Sequence, residues 1–183
     1  MEQKSTFWRS AMIYGLYIGI VLTLFSVILY VTGQMQNKTL GYLSFPIYIA
    51  CIIAAQIHYR NHELNGEINY GQAVGFGTAI MLFSGIITAL YTLIIYKIDP
   101  GLLDQLKSMQ EETLMAKGMS EDQVDAAMKI SAKMMTPAIM AISGLFGSVI
   151  IGTIVSLITS IFVKKQGNPD AFDEAMEDVK TEE

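Results

Sequence analysis

Residues 134–163 read MMTPAIMAISGLFGSVIIGTIVSLITSIFV and contain no ionisable side chain in 30 positions. An α-helix rises 1.5 Å per residue, so about 20 residues cross a hydrocarbon core of about 30 Å. The segment therefore predicts a membrane-spanning helix at about residues 137–163. Small side chains recur in it at every fourth position, which predicts close packing against another helix. This stripe consists of Gly144, Ser148, Gly152, Ser156 and Ser160.

Three further apolar runs without Asp, Glu, Lys or Arg precede this segment. Only 16% of the 183 residues are charged and 52% are hydrophobic, whereas about a quarter is charged in soluble domains. The sequence therefore predicts an all-α membrane protein, with four transmembrane helices in one bundle over residues 1–165. The net charge of −5 comes from segments outside the bilayer. Because it has the same sign as the phosphates of nucleic acid, a nucleic-acid partner is not expected. The predicted helices span about residues 10–31, 40–57, 71–96 and 137–163.

Basic residues near the helix ends predict the orientation. Lys4 and Arg9 precede the first run, which exceeds the 7–15 residues of a signal-peptide core and lacks an Ala-x-Ala site. We therefore expect an uncleaved anchor. With four spans, both termini lie on one face together with Arg60, Lys164 and Lys165, and the opposite face has Lys38, Lys97, Lys129 and Lys133. The positive-inside rule then predicts cytoplasmic termini by a narrow margin.

A short motif occurs at the start of two helices. Tyr14-Gly15-x-x-x-Gly19 returns as Tyr70-Gly71-x-x-x-Gly75, and both helices cross in the same direction. The repeat arises either by chance or by duplication of a helical hairpin in parallel. In both cases we expect Gly15, Gly19, Gly71 and Gly75 to pack against neighbouring helices.

The connection 99–135 predicts a helical hairpin outside the membrane. Asp99 and Pro100 suit a helix start, Gly118 a stop, and Ser120-x-x-Gln123 a capping box for a second helix. Leu102, Leu106 and Met109 share one face and need a partner, since helices of this length are marginal in water alone. The acidic residues 166–183 predict a solvated tail, with a docking helix as the alternative.

Residues with catalytic or metal-binding chemistry are scarce. His58, His62 and Glu63 have a spacing at which two imidazoles and a carboxylate can share a metal. A polar cluster at a membrane interface explains them better, so we expect no metal, no cofactor and no catalytic site. Cys51 is the single cysteine and gives no disulfide. Gln56, Gln72 and several hydroxyls within the spans either line a pore or bond to neighbouring helices, and packing is the favoured interpretation.

One stretch carries a family resemblance. Residues 66–73, GEINYGQA, lead into the third helix, and Asp99-Pro100-Gly101 opens the hairpin before helix four. The arrangement resembles the small four-helix membrane proteins of the family named domain of unknown function 4199. The resemblance implies a bacterial inner-membrane protein. It implies no activity, ligand or catalytic residue.

Three classes of function remain open at this point. A non-enzymatic scaffold or accessory subunit agrees best with the lack of catalytic groups. The alternative is a small-solute channel or transporter acting as an oligomer, although no ionisable residue lies inside a span except His58 at a margin. A membrane enzyme comes last. The expected partners are the lipid bilayer and either a second copy or another membrane protein.

Overall fold

The computed structural model describes residues 2–35 and 37–165, with side chains from Thr6 onward except that of Lys38. The predicted acidic tail therefore lies outside the described residues. Within them the chain forms six helices: α1 (Glu2–Val31), α2 (Lys38–Glu63), α3 (Tyr70–Ile98), α4 (Gly101–Ala116), α5 (Glu121–Met134) and α6 (Pro137–Val163).

Four of these helices are long and apolar enough to cross a membrane. Their candidate spans have 25 to 29 residues each: Thr6–Val31, Thr39–Glu63, Tyr70–Ile98 and Pro137–Val163. This confirms the predicted all-α, multi-pass membrane fold. The chain starts on one membrane face, here called the N-terminal face. The connections α1–α2 and α3–α6 lie at the other, which we call the hairpin face.

Two helices extend further than the hydropathy pattern predicted. α1 begins at Glu2 instead of about residue 10, and α2 ends at Glu63 instead of about residue 57. Hydropathy marks the part of a helix inside hydrocarbon, whereas backbone hydrogen bonding continues into the polar interface. α6 begins at Pro137 as expected, because Thr136 accepts a hydrogen bond from the Ile139 backbone N–H and proline is tolerated in the first turn.

α3 is the central helix of the bundle. It packs along α6 on one side and along α1 on another, while α2 has smaller contacts with α1, α3 and α6. The α3 side chains Phe76, Ile80 and Met81 have no exposed surface. α6, whose sequence predicts the fold, is therefore one of the two helices with the longest contacts to α3.

The α3–α6 contact is antiparallel and follows small residues. Along it Gly85 lies against Ser148, Met81 against Gly152 and Gly77 against Ser156, so each step is four residues in both helices. A Cβ at Gly77 would lie 2.9 Å from the Cβ of Ser156, and one at Gly152 would overlap the Met81 side chain. The two backbones approach closely only because these glycines have no side chain.

The α1–α3 contact is parallel and uses two glycines of α1. A Cβ at Gly15 would lie 2.5 Å from the Cβ of Phe83 and 2.7 Å from the carbonyl oxygen of Ile80. A Cβ at Gly19 would lie 2.8 Å from the Cβ of Ile87. Nearer the N-terminal face, Tyr59 of α2 stacks on Phe76 of α3 with ring centroids 3.8 Å apart.

The predicted hairpin is formed by α4 and α5 on the hairpin face. Leu102 of α4 is 4% exposed and packs with Ile95 and Tyr96 at the end of α3. Val124 of α5 is buried, and the Gln110 amide of α4 donates to the Ser131 hydroxyl of α5 at 2.9 Å. The hairpin is therefore fastened to the bundle through α4.

On the N-terminal face, the end of α6 is joined to the α2–α3 connection. Ile68 and Lys165 form an antiparallel bridge with backbone N···O distances of 2.8 and 3.0 Å. The Arg60 guanidinium of α2 donates to the Val163 carbonyl at 2.9 Å. These contacts bring α2, α3 and α6 together at one edge of the bundle.

Candidate functional site: a buried polar cluster between three helices

One polar cluster lies inside the membrane-spanning part, where α2, α3 and α6 meet. Its centre is Gln56 of α2, which has no exposed surface. The Gln56 amide nitrogen donates to the Ala73 carbonyl of α3 at 2.9 Å and to the Ser160 hydroxyl of α6 at 3.2 Å. The Thr159 hydroxyl of α6 donates to the Gln56 oxygen at 2.9 Å. A single side chain therefore bonds three helices together.

The environment of Gln56 explains why the amide is kept inside. Ser156, Thr159 and Ser160 are all buried on the same part of α6, and Gly77 leaves room for the amide beside them. A buried polar group without a partner is costly in hydrocarbon, so an amide that bonds in three directions stabilises this junction. The Ser156 hydroxyl has no hydrogen-bond partner among the described residues, and it lies in the tightest part of the α3–α6 contact.

Other hydroxyls within the spans bond mostly to their own helix. Thr88 donates to Gly85, Thr92 to Thr88 and Thr153 to Val149, in each case to a backbone carbonyl three or four residues earlier. Between helices, Thr78 donates to Thr153 at 3.3 Å. These bonds agree with the packing interpretation of the polar residues. They do not form a continuous polar lining.

The structure brings only some of the predicted packing residues together. Gly15, Gly19, Gly152 and Ser156 are buried against α3, and half-buried Ser148 contacts it as well. The structure does not place Gly71, Gly75 and Gly144 in a close contact between helices of one chain, because they are exposed and a Cβ added at each would meet no other helix within 4 Å. Four residues advance a helix by about 400°, so a stripe at this spacing turns by about 40° per step and leaves its partner.

Consequently the two Tyr-Gly motifs have different environments. Gly15 and Gly19 lie in the α1–α3 contact, whereas a Cβ at Gly75 would have no neighbour within 4 Å. Equivalent positions in a duplicated hairpin would have equivalent packing. The structure therefore gives no support to duplication as the origin of the repeated motif.

Sequence reasoning did not identify the α3 side of the main contact. Gly77, Met81 and Gly85 form it, with Ala73 one step earlier at the Gln56 amide. These residues also recur at every fourth position, and matching this spacing with that of α6 would have paired the two helices.

The candidate metal residues do not converge on one point. The imidazoles of His58 and His62 are stacked, with centroids 4.0 Å apart and planes at 25°. In an imidazole the nitrogen lone pair lies in the plane of the ring. Because the two rings are stacked nearly parallel, their lone pairs run alongside each other and do not point at one shared position. Exposed Glu63 completes no site, since the described residues contain no group of three His, Cys, Asp or Glu placed to hold a metal. Instead, the His58 ring packs edge-on against the Tyr14 ring of α1, with the ring centroids 5.7 Å apart.

Comparison with known proteins identifies the chain by family alone. No curated protein and no solved structure matches it. A family model does match, over residues 13–165, which include most of α1 and all the other helices. Its description is "Protein of unknown function (DUF4199)", in agreement with the resemblance carried by residues 66–73. The chain belongs to this family of unknown function.

Proposed function

We propose that the protein is a non-enzymatic scaffold or accessory subunit of the bacterial inner membrane, which presents the α4–α5 hairpin to another membrane protein. One observation carries the proposal. The hairpin is a folded element fixed to the bundle by buried Leu102, yet its second helix has an exposed apolar stripe between polar residues.

The exposed apolar residues form a narrow stripe. Ala126, Ile130 and Met134 are spaced four apart on α5 and exposed, with Ile130 at 67% and Met134 at 60%. Met115 of α4 is also 48% exposed. Outside the hydrocarbon core, large apolar side chains gain free energy when another surface covers them. Met134 ends α5 three residues before the start of α6 at Pro137, so the stripe ends at the membrane surface, where a membrane partner can reach it.

The interior of the bundle supports a scaffold more than a channel. Gln56, Thr159 and Ser160 bond directly to one another, and the glycine contacts of α3 leave no space for solvent between the backbones. A channel needs polar groups that face a continuous opening. Here Gln56, Thr159 and Ser160 hold helices together.

The alternative of an oligomeric channel is favoured by one lateral groove. A cavity of about 320 Å³ lies between α2 and α6 and is lined by small and aromatic residues, among them Phe45, Tyr48, Gly144 and Gly147. The exposed glycines would allow close approach of a second copy. Measurement of the molar mass of the purified protein in detergent tests this alternative, which requires an oligomer.

Site-specific photo-crosslinking tests the scaffold proposal. A benzophenone amino acid at Ile130 should give a defined protein adduct in native membranes, because this side chain lies in the contact stripe. The same group at exposed Asp122 of α5 is the matched control and should give none. An adduct of twice the chain mass would assign the partner as a second copy. Adducts at Asp122 alone, or at neither position, would contradict the proposal.

We further propose cytoplasmic termini, which places the hairpin on the opposite, periplasmic face. The proposal is based on Arg9, Arg60, Lys164 and Lys165 near helix ends of the N-terminal face. A reporter enzyme that is active only outside the cytoplasm should be inactive when fused after Glu183. The same reporter inserted after Gly118, at the turn of the hairpin, should be active. The reverse pattern would contradict this orientation.

A further inference from the structure

A cavity of about 380 Å³ opens on the hairpin face, beneath the start of α4. It lies where α1 and α3 end and α4 begins. Its lining combines a carboxylate, a phenol and an amide with apolar side chains. The lining residues are Tyr30, Val31, Gly33, Met35, Asp99, Leu102 and Gln105.

Asp99 gives the cavity a negative charge that no described cation neutralises. The Tyr30 hydroxyl donates to Asp99 Oδ2 at 3.2 Å, and the Gly101 backbone N–H donates to Oδ1 at 3.1 Å. Both donors are neutral. Among the described side chains the one ion pair is Lys107–Asp104, at 2.8 Å on the outside of α4. A half-buried carboxylate with neutral donors only is a site for an additional cation.

The ends of the helices add to this negative potential. α1 ends at Val31 and α3 at Ile98, so two helix C-termini with partial negative charge lie beside the cavity. The N-terminus of α4 has the opposite partial charge, but its Gly101 N–H is already bonded to Asp99 Oδ1. Oδ2 accepts only from the Tyr30 hydroxyl, so it has a lone pair left for a ligand.

The lining atoms match an ammonium group better than a metal ion. Ca²⁺ takes six to eight oxygen ligands, and Mg²⁺ requires near-ideal octahedral geometry. The residues that line the cavity include a carboxylate, the Gln105 amide and the Tyr30 phenol, each with an oxygen that can accept a hydrogen bond. An ammonium has three N–H donors, which these acceptors can satisfy. Val31, Met35 and Leu102 provide an apolar wall for the carbon atoms next to the nitrogen.

We propose that this cavity binds a primary ammonium group on a short carbon stem, through the carboxylate of Asp99. Two sources have this chemistry. One is the headgroup of an amine-bearing lipid such as phosphatidylethanolamine, since the cavity lies at the ends of two spans, at the level of the headgroups. The other is a soluble amine that arrives from the aqueous side.

Lipid binding is tested on the full-length protein by native mass spectrometry. Delipidated protein is incubated with phosphatidylethanolamine or phosphatidylcholine, which has the same charges but a quaternary nitrogen without N–H donors. We expect preferential retention of phosphatidylethanolamine. Asp99→Asn should reduce this retention roughly tenfold, because it removes the charge, while its one oxygen still accepts from the Gly101 N–H and its amide nitrogen can donate to the Tyr30 oxygen. Asp104→Asn is the matched control and should not change it.

The soluble source is tested with ethanolamine and the same variants. If the ligand is a free amine, ethanolamine should raise the Tm of the wild type and of Asp104→Asn but not of Asp99→Asn, while the two lipids bind equally. Gln105→Lys is a second variant that places an ammonium of the protein itself in the cavity. It should abolish amine binding without lowering the Tm. Absence of both lipid preference and amine response in the wild type would overturn the proposal, as would undiminished binding in Asp99→Asn or Gln105→Lys.

Discussion

α3 and α2 are both membrane helices of similar length, but they are held in the bundle by different means. In the most apolar window of each, 33% of α3 is buried against 17% of α2. α3 has close backbone contacts through Gly15, Gly77 and Gly152, whereas α2 depends on the Gln56 amide and a few aromatic contacts. Lipid is as apolar as leucine, so apolar surface alone does not hold a helix in place. Close packing and hydrogen bonds therefore have to hold each helix in the bundle.

The contrast also exists within α2. Its second half contains the buried residues Ile52, Ala55, Gln56 and Tyr59, while most residues between Gly41 and Ala50 are exposed. The exposed half borders the groove at Gly144 and Gly147. α2 is therefore attached near the N-terminal face and diverges from α6 towards the hairpin face.

The largest expected effect comes from filling the α3–α6 contact. Gly152→Leu places a side chain where the Met81 side chain already lies, and Met81 has no free surface to move into. We expect a loss of about 3 kcal/mol in the free energy of unfolding, the upper end for overpacked cores. Thermal unfolding in mild detergent measures it.

Gly144→Leu is the matched control on the same helix. A Cβ at Gly144 has no neighbour within 4 Å, so this variant should unfold close to the wild-type temperature. Equal destabilisation of both variants would mean that the added bulk on α6, and not the contact with α3, determines the effect. The proposed role of close packing would then be wrong.

These two glycines also illustrate what the sequence determines. Apolar length and helix-start signals located all four spans, and the Thr136-Pro137 signal placed the start of α6 correctly. The same four-residue stripe contained Gly144 and Gly152, of which only Gly152 meets α3. Which part of a stripe meets a neighbour depends on helix crossing and rotation, and these are set by residues distant in sequence.

The second effect concerns the attachment of α2. Gln56→Leu keeps a similar volume but removes the amide nitrogen that donates to Ala73 and Ser160. It also removes the amide oxygen that accepts from the Thr159 hydroxyl. We expect a loss of roughly 1 to 2 kcal/mol, as for polar contacts between membrane helices. Cys51, the single cysteine, lies on α2 and is half-buried, so faster maleimide alkylation of Cys51 should report detachment of this helix.

Thr92→Val serves as the control for Gln56→Leu. The Thr92 hydroxyl donates only to the Thr88 carbonyl of its own helix, so its removal should leave both stability and Cys51 alkylation unchanged. If Gln56→Leu alkylates at the wild-type rate, α2 is held by its aromatic contacts and not by the amide.

Gln56 was visible in the sequence as a polar residue inside a span, but its role was not. Packing and pore lining were both open, because the answer depends on whether α2 turns this residue towards α3 and α6 or towards an opening. For a similar reason the sequence alone does not predict the Asp99 cavity. Sequence reasoning identified Asp99 as a helix start only, since the cavity also requires the end of α1, which is distant along the chain.

The smallest expected effect tests the α1–α2 contact. His58→Ala removes the edge contact with Tyr14, and we expect a loss of about 0.5 kcal/mol, the lower end for aromatic pairs. His62→Ala is the control, because among the ring contacts of the described residues His62 stacks on His58 alone. Thermal unfolding of the two variants should differ by this small amount. A larger loss for His62→Ala would show that the stacked pair itself stabilises α2.

The position of α3 has a consequence for the order of events during synthesis. Its longest contact is with α6, which follows only after the hairpin of α4 and α5 has been made. At 5–20 residues per second, the roughly 65 residues from the end of α3 to the end of α6 take on the order of several seconds. During that time the faces of Gly77 and Gly85 that later meet α6 contact lipid or the insertion machinery. The helix at the centre of the finished protein therefore completes its packing only when the last span has been made.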